Sequence, residues 1–223
     1  RSKKCIVTDE KKQETSLAPV LFDFITLQRE ANGKLGLSAK GTLGIAQRLY
    51  EHHKVLTYPR TDSKALPEDY INTAKDVLRS LQGTHLGAVA GKVLQEGWVK
   101  PNKRIFNNAK ISDHHAIIPT VESPDKLDDL ERKVYDLVAK RFIAIFYPTA
   151  HFEVTTRITR VEDEPFKTEG RILVVPGWLE VYGKEERGPD EQAALTPVRE
   201  GEEVQTASIE TQSLQTRPPA RFT

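Results

Sequence analysis

Apolar residues recur at three- and four-residue spacing up to residue 146 and at two-residue spacing soon after it. Val20, Leu21, Phe24, Ile25 and Leu27 line one face of a helix, and Asn32-Gly33 supplies a stop. Ser38 is placed to cap a second helix with Leu43, Ala46, Leu49 and Tyr50 inward. The two read as a helix-turn-helix arrangement, although an ordinary helical hairpin carries the same pattern. Pro67 opens a third helix bearing Tyr70, Ile71, Ala74, Val77, Leu78 and Leu81. Residues 86–95 predict a short helix. Residues 126–146 predict a long one, with Leu127, Leu130, Val134, Leu137, Val138, Phe142 and Ile145 on the core face.

The period changes after Pro148. Phe152, Val154 and Ile158 alternate with Glu153, Thr155, Arg157 and Thr159, which predicts a half-buried strand over 151–161. Glu162-Asp163-Glu164 is a turn, and Lys167–Val175 returns. Residues 184–203 are acidic, and Gly188-Pro189-Asp190 marks a loop or hairpin tip. Glu203–Gln215 is again strand-like, and Cys5-Ile6-Val7-Thr8 is a possible short strand. The predicted fold class is therefore α+β. A mainly helical domain with helix-turn-helix character spans 18–147, and an antiparallel β-rich part takes residues 1–17 and 148–223.

Composition narrows the chemistry. The 223 residues suffice for one large or two small domains. A net charge of +1 gives no global basic signature, so any nucleic-acid surface is a local patch. Residues 98–110 offer one, with Lys100, Lys103, Arg104 and Lys110, no acid, and Trp98 and Phe106 interleaved. Such a run can track a phosphate backbone and stack a base, or it is a solvated basic loop. One cysteine, Cys5, excludes an internal disulfide and suits a reducing compartment. No apolar run reaches the ~18 residues of a membrane span. The chain holds no methionine and starts at Arg1, so it is expected to be a piece of a longer protein.

The densest chemistry lies in Leu56-Thr57-Tyr58-Pro59-Arg60-Thr61-Asp62-Ser63. A phenol beside a fixed cation, where Pro59 ends β-prone Val55-Leu56-Thr57, suits a tyrosine nucleophile attacking a phosphodiester. A lone tyrosine also has many purely structural uses. If 58–60 is extended, Tyr58 and Arg60 leave on one face, ~7 Å apart at Cα. An Arg60–Asp62 ion pair is the alternative use of that cation.

This run resembles the active-site signature of type IA DNA topoisomerases. Three further stretches resemble the same family, in its order. They are Leu37-Ser38-Ala39-Lys40 leading to Ala46-Gln47-Arg48-Leu49-Tyr50-Glu51, Ser112-Asp113-His114-His115-Ala116-Ile117-Ile118-Pro119-Thr120, and the terminal Arg217-Pro218-Pro219-Ala220-Arg221-Phe222-Thr223. Pro59 and the His114-His115 pair lean towards the topoisomerase III branch.

The resemblance implies a transient single-strand break, through which strands pass. Tyr58 is its nucleophile, joined to the 5′ phosphate; Arg60 binds the phosphate; His114 donates to the scissile or an adjacent phosphate. His115 holds a variable position. Thr61, Ser63 and Thr120 are candidate partners of the DNA backbone, with Lys100, Lys103 and Arg104 from the basic run. Asp62 is read as orienting its loop. Since both motifs must meet one phosphate, Tyr58 and His114 are expected within about 10 Å.

The resemblance also makes the β-rich part the arch beside the topoisomerase gate. It implies Mg²⁺ for the parent enzyme, held by an acidic site in a separate N-terminal domain that this chain lacks; none is expected bound here. Partners are single-stranded DNA and that domain, with no membrane. A cytoplasmic, nucleoid-associated location follows if the source is bacterial. The chain alone is expected to be inactive.

Rival readings remain at this level. A non-catalytic single-stranded nucleic-acid-binding module would keep the scaffold without the reaction. A tyrosine recombinase needs an Arg and His-x-x-Arg constellation that is not found. Asp113-His114-His115 also resembles the phosphoesterases named for Asp-His-His, but their further aspartate motifs are missing. No zinc-ligand spacing stands out.

Overall fold

The computed structural model describes residues 4–183, 195–199, 201–208 and 210–216. The Gly188-Pro189-Asp190 tip and the terminal 217–223 motif lie outside the described residues. The chain divides into two compact units. One comprises Leu17–Thr149 and Gly177–Lys184; the other comprises Arg1–Ser16, Ala150–Pro176 and Glu185–Thr223, each as far as it is described.

The first unit is helical, with α1 (Phe24–Leu35), α2 (Ala39–Glu51), α3 (Ile71–Leu81), α4 (Gly87–Gln95) and α5 (Asp129–Ala144). Asp23 caps α1 by accepting the Thr26 N–H at 2.7 Å. The stop expected at Asn32-Gly33 is wrong by a turn. Gly36, with φ +68°, ends the helix in the left-handed conformation that glycine takes at little cost. Ser38 caps α2 as expected, accepting the Gly41 N–H at 3.0 Å.

The core gathers Leu27, Leu49, Leu56, Leu78, Val134, Val138 and Phe142, all essentially sealed from solvent. Of the core face predicted for α5, Leu130 is 39% exposed, because it lies in the first turn. The α5 N-terminus carries a capping box between Asp128 and Glu131, which satisfies orphan donors of its first turn.

The second unit is a four-stranded antiparallel sheet in the order β3-β2-β1-β4, from β1 (Lys4–Ser16), β2 (Ala150–Val161), β3 (Glu164–Val175) and β4 (Glu202–Gln205). β1 is far longer than the expected Cys5–Thr8. Its polar second half pairs in register with β2, down to Ser16 opposite Ala150. Arg157 meets Asp9 directly across these strands in a bidentate pair, at 2.7 and 2.8 Å. Glu162 and Asp163 turn the β2–β3 hairpin with positive φ. The strand expected over Glu203–Gln215 shrinks to β4; described residues beyond it form no strand. The expected face alternation of β2 is blurred, since Phe152 and Thr155, on opposite faces, are both buried.

Candidate active site

Between α2 and α3 the chain makes no regular strand at 55–57. It forms a bridge from Leu56 to Pro119, flanked by Thr57 N–H to the Ile118 carbonyl and Thr120 N–H to the Val55 carbonyl. The two motif segments are thus joined by backbone bonds. Side chains reinforce the seam. The Thr57 hydroxyl donates to the Ala116 carbonyl at 3.2 Å and accepts the Ile118 N–H at 3.0 Å. Pro59 is buried, which leaves half-buried Tyr58 and exposed Arg60 on either side of it.

The seam brings Tyr58 to His114. Their ring centroids lie 4.2 Å apart, with the planes tilted by 39°. Tyr50, from α2, presents its ring edge-on to Tyr58 at 5.5 Å and 82°. The Tyr58 ring therefore has aromatic neighbours from both α2 and the 112–120 segment, while His114 and Arg60 stay open to solvent. A half-buried phenol beside an exposed imidazole and an exposed guanidinium can meet a phosphate with one nucleophile and two donors.

His115 points elsewhere. Its Nδ1 lies 2.8 Å from the Ala116 carbonyl, and a carbonyl accepts only, so Nδ1 carries the hydrogen. Its ring packs edge-on against Tyr70 at 4.9 Å. Burial pushes its pKa below the ordinary 6.5, the bond to Ala116 opposes this, and neighbouring His114 lowers it further.

The hydroxyls proposed for DNA contact serve the fold instead. Thr61 is buried; it donates to the His114 carbonyl at 2.9 Å and accepts the Ser63 N–H at 3.1 Å. Ser63 is buried and donates to the Lys110 carbonyl at 2.9 Å. Thr120 donates to the Lys54 carbonyl at 2.6 Å and accepts the Glu122 N–H. Asp62 accepts the Ser112 hydroxyl at 3.1 Å.

The basic run also departs from expectation. Phe106 is buried and bridges Leu66, so its ring offers no open face for base stacking, and half-buried Trp98 packs on Tyr147 at 4.7 Å. The Arg104 guanidinium donates to the Ala18 carbonyl, and Lys103 pairs with Glu68 at 2.6 Å on the surface. Lys100 is exposed.

The comparisons decide the family. The DNA topoisomerase family model matches residues 2–223. The chain belongs to the DNA topoisomerase family. DNA topoisomerase 3 of Bacillus cereus is 42% identical over 97% of this chain, and that of Bacillus subtilis is 39% identical over all of it. The chain spans 31% of the length of each relative. Full-length topoisomerase I from Thermotoga maritima superposes with a TM-score of 0.64 at 25% identity, over 91% of this chain and 32% of that one. This supports the α+β reading.

Two features of this site are not evident from the sequence pattern. Tyr50, expected in the core, is half-buried against Tyr58. Its place one residue after core Leu49, at the rim of the apolar face, was the available signal. Thr57, β-prone and part of the signature run, ties the two motifs through its hydroxyl. As for magnesium, no group of three or more His, Cys, Asp or Glu among the described residues comes together to hold a metal. The described residues do not fit the ion, so no step is routed through it. Among them, no helix is long and apolar enough to cross a membrane.

Proposed function

We propose that this chain carries the nucleophile side of a type IA topoisomerase active site, in the topoisomerase III branch, and that Tyr58 cleaves one DNA strand. The observation that carries the reading is the close pairing of Tyr58 with His114, beside an exposed Arg60. The phenol oxygen of Tyr58 bonds to phosphorus as the bond from phosphorus to the 3′ oxygen breaks. The 5′ phosphate stays on the tyrosine as a diester, and the 3′ oxygen leaves as a hydroxyl. One proton leaves the phenol and one joins the 3′ oxygen, so the step is balanced. Reversal reseals the strand once another has passed.

A phenol ionises near pH ~10, so the site must favour charge moving from its oxygen onto the phosphate. Arg60 can grip that phosphate bidentately, and a His114 N–H can share the charge gathering on it. Aromatic neighbours limit the directions open to the Tyr58 ring, and a positioned nucleophile needs less reorganisation to attack. Lys100 contributes to holding single-stranded DNA, with Lys103, exposed although paired with Glu68, as a second cation.

The test uses the full-length protein with a single-stranded oligonucleotide. Wild type is expected to cleave it, and Tyr58→Phe to bind it equally and not cleave. Equal binding without cleavage by the wild type would instead favour a non-catalytic single-stranded-DNA-binding module.

A further inference from the structure

We propose that Lys54 is a DNA-phosphate contact of the cleavage site, seated beside the nucleophile by Tyr50. Lys54 follows α2 with φ +59°, in the left-handed region. Glycine is the usual residue at such a helix exit, because a side chain there is strained. Among the described residues, the other non-glycine ones with positive φ are Glu162 and Asp163 in the β2–β3 hairpin, where the turn itself requires it. At Lys54 the chain needs the conformation too. Val55 and Leu56 N–H groups fold back on the Leu49 carbonyl, and Thr120 clamps the Lys54 carbonyl. Nothing in that backbone needs a lysine side chain, and glycine would meet it with less strain.

The side chain has a defined place. Its ammonium sits 5.8 Å from the centroid of the Tyr50 ring, whose edge meets the Tyr58 ring at 5.5 Å. Lys54 is exposed and has no carboxylate partner among the described residues. Its neighbours Arg48 and His53 both turn to Glu131, at 2.8 and 3.0 Å. Lys64, just beyond the Tyr58 motif, faces Asp23 at 3.4 Å. Lys54 thus keeps its charge available, one ring, that of Tyr50, away from the reacting phenol. A flexible, uncompensated ammonium at that distance suits a phosphate flanking the one that Tyr58 attacks. Contact with the Tyr50 face holds it there without cancelling its charge.

This inference rests on the proposed cleavage by Tyr58. The experiment uses the full-length protein, single-stranded oligonucleotides carrying the cleavage site, and the variants Lys54→Gly, Lys54→Gln and Lys54→Arg. Affinity is measured from about 50 to 200 mM salt, with cleavage rate and thermal midpoint alongside. Losing one phosphate contact should lower the slope of log affinity against log salt by about 0.7. Lys54→Gly and Lys54→Gln are each expected to bind severalfold more weakly at low salt and to cleave more slowly at subsaturating DNA. Lys54→Arg should stay near wild type. Lys54→Gly should melt at or above the wild-type temperature, since it relieves the left-handed side chain; a structural lysine would give the opposite sign. Should Lys54→Gly not fold, Lys54→Gln gives the same reading without touching the backbone. Unchanged affinity and salt slope in both variants, with wild type cleaving, would overturn the proposal and leave the Tyr58 reading intact. A wild-type protein that binds but does not cleave would strike the Tyr58 reading itself, while the salt slopes would still report on Lys54.

Discussion

The buried hydroxyl of Thr61 donates to the backbone carbonyl of His114 at 2.9 Å. The residue three places beyond the phenol therefore grips the residue that faces the phenol. Around it, Thr57 bonds to Ala116 and Ile118, and Ser63 bonds to Lys110. The pairing of Tyr58 with His114 is a product of this seam, not of the two side chains alone.

Thr61→Val keeps the volume but strands the His114 carbonyl and the Ser63 N–H. Leaving such buried groups unpaired costs about 1–3 kcal/mol. A drop in thermal midpoint is expected, with a larger fractional loss of DNA cleavage than of DNA binding. Thr61→Ser should recover most of both. Differential scanning calorimetry and an oligonucleotide cleavage assay check this.

His115 should titrate below the ordinary histidine value of 6.5, as a neutral Nδ1–H tautomer above it. A depressed folded pKa means that the unfolded chain binds the proton more readily. Its contribution to stability is therefore full above 6.5 and is lost as pH falls through the folded value. His114→Gln removes one of the lowering influences and should move the His115 midpoint up. Nitrogen-detected NMR titration of both proteins reads tautomer and midpoint together.

Glu131 joins α5 to the end of α2. Burial alone would raise its pKa, but the Arg48 guanidinium and the Asp128 N–H outweigh burial and hold it below the ordinary 4.5. Its stabilisation is thus present above 4.5 and is lost as pH falls through the lower folded value. Glu131→Gln should cost about 1–3 kcal/mol at neutral pH. The gap from wild type should narrow on acidification below 4.5. Denaturant melts at pH 7 and pH 3 test the sign.

This chain alone is expected not to relax supercoiled DNA. It spans only 31% of the length of the Bacillus relatives, so groups that the proposed reaction needs can lie in the rest of the protein. Losing a few kcal/mol of barrier lowering slows a reaction by orders of magnitude. Supplying the N-terminal metal-binding domain that the resemblance implies should restore relaxation, as followed by gel electrophoresis.

Much of this architecture was legible from periodicity. α3 and α5 bury long apolar faces, and the 3.6-residue period shows through any surface decoration. Polar Lys11 to Glu14 hid the second half of β1, because that strand is defined by pairing with β2 and not by its own hydrophobicity. The nearness of Tyr58 and His114 followed from requiring both at one phosphate. The fates of Thr61, Ser63 and Phe106 did not follow. Hydroxyls and an aromatic ring beside cations look alike in sequence whether they face DNA or their own backbone, and tertiary contacts such as Leu66 with Phe106 choose between the two. Tyr50 was hidden for a related reason: a tyrosine at a helix rim fits a core equally well.

The most direct test of the central claim is peptide mapping of the trapped protein–DNA adduct. The full-length protein is incubated with a single-stranded oligonucleotide, denatured, digested and read by mass spectrometry. The account predicts a nucleotide joined through its 5′ phosphate to the Tyr58 side chain, and no adduct in Tyr58→Phe. An adduct on another residue, or near wild-type cleavage by Tyr58→Phe, would contradict it.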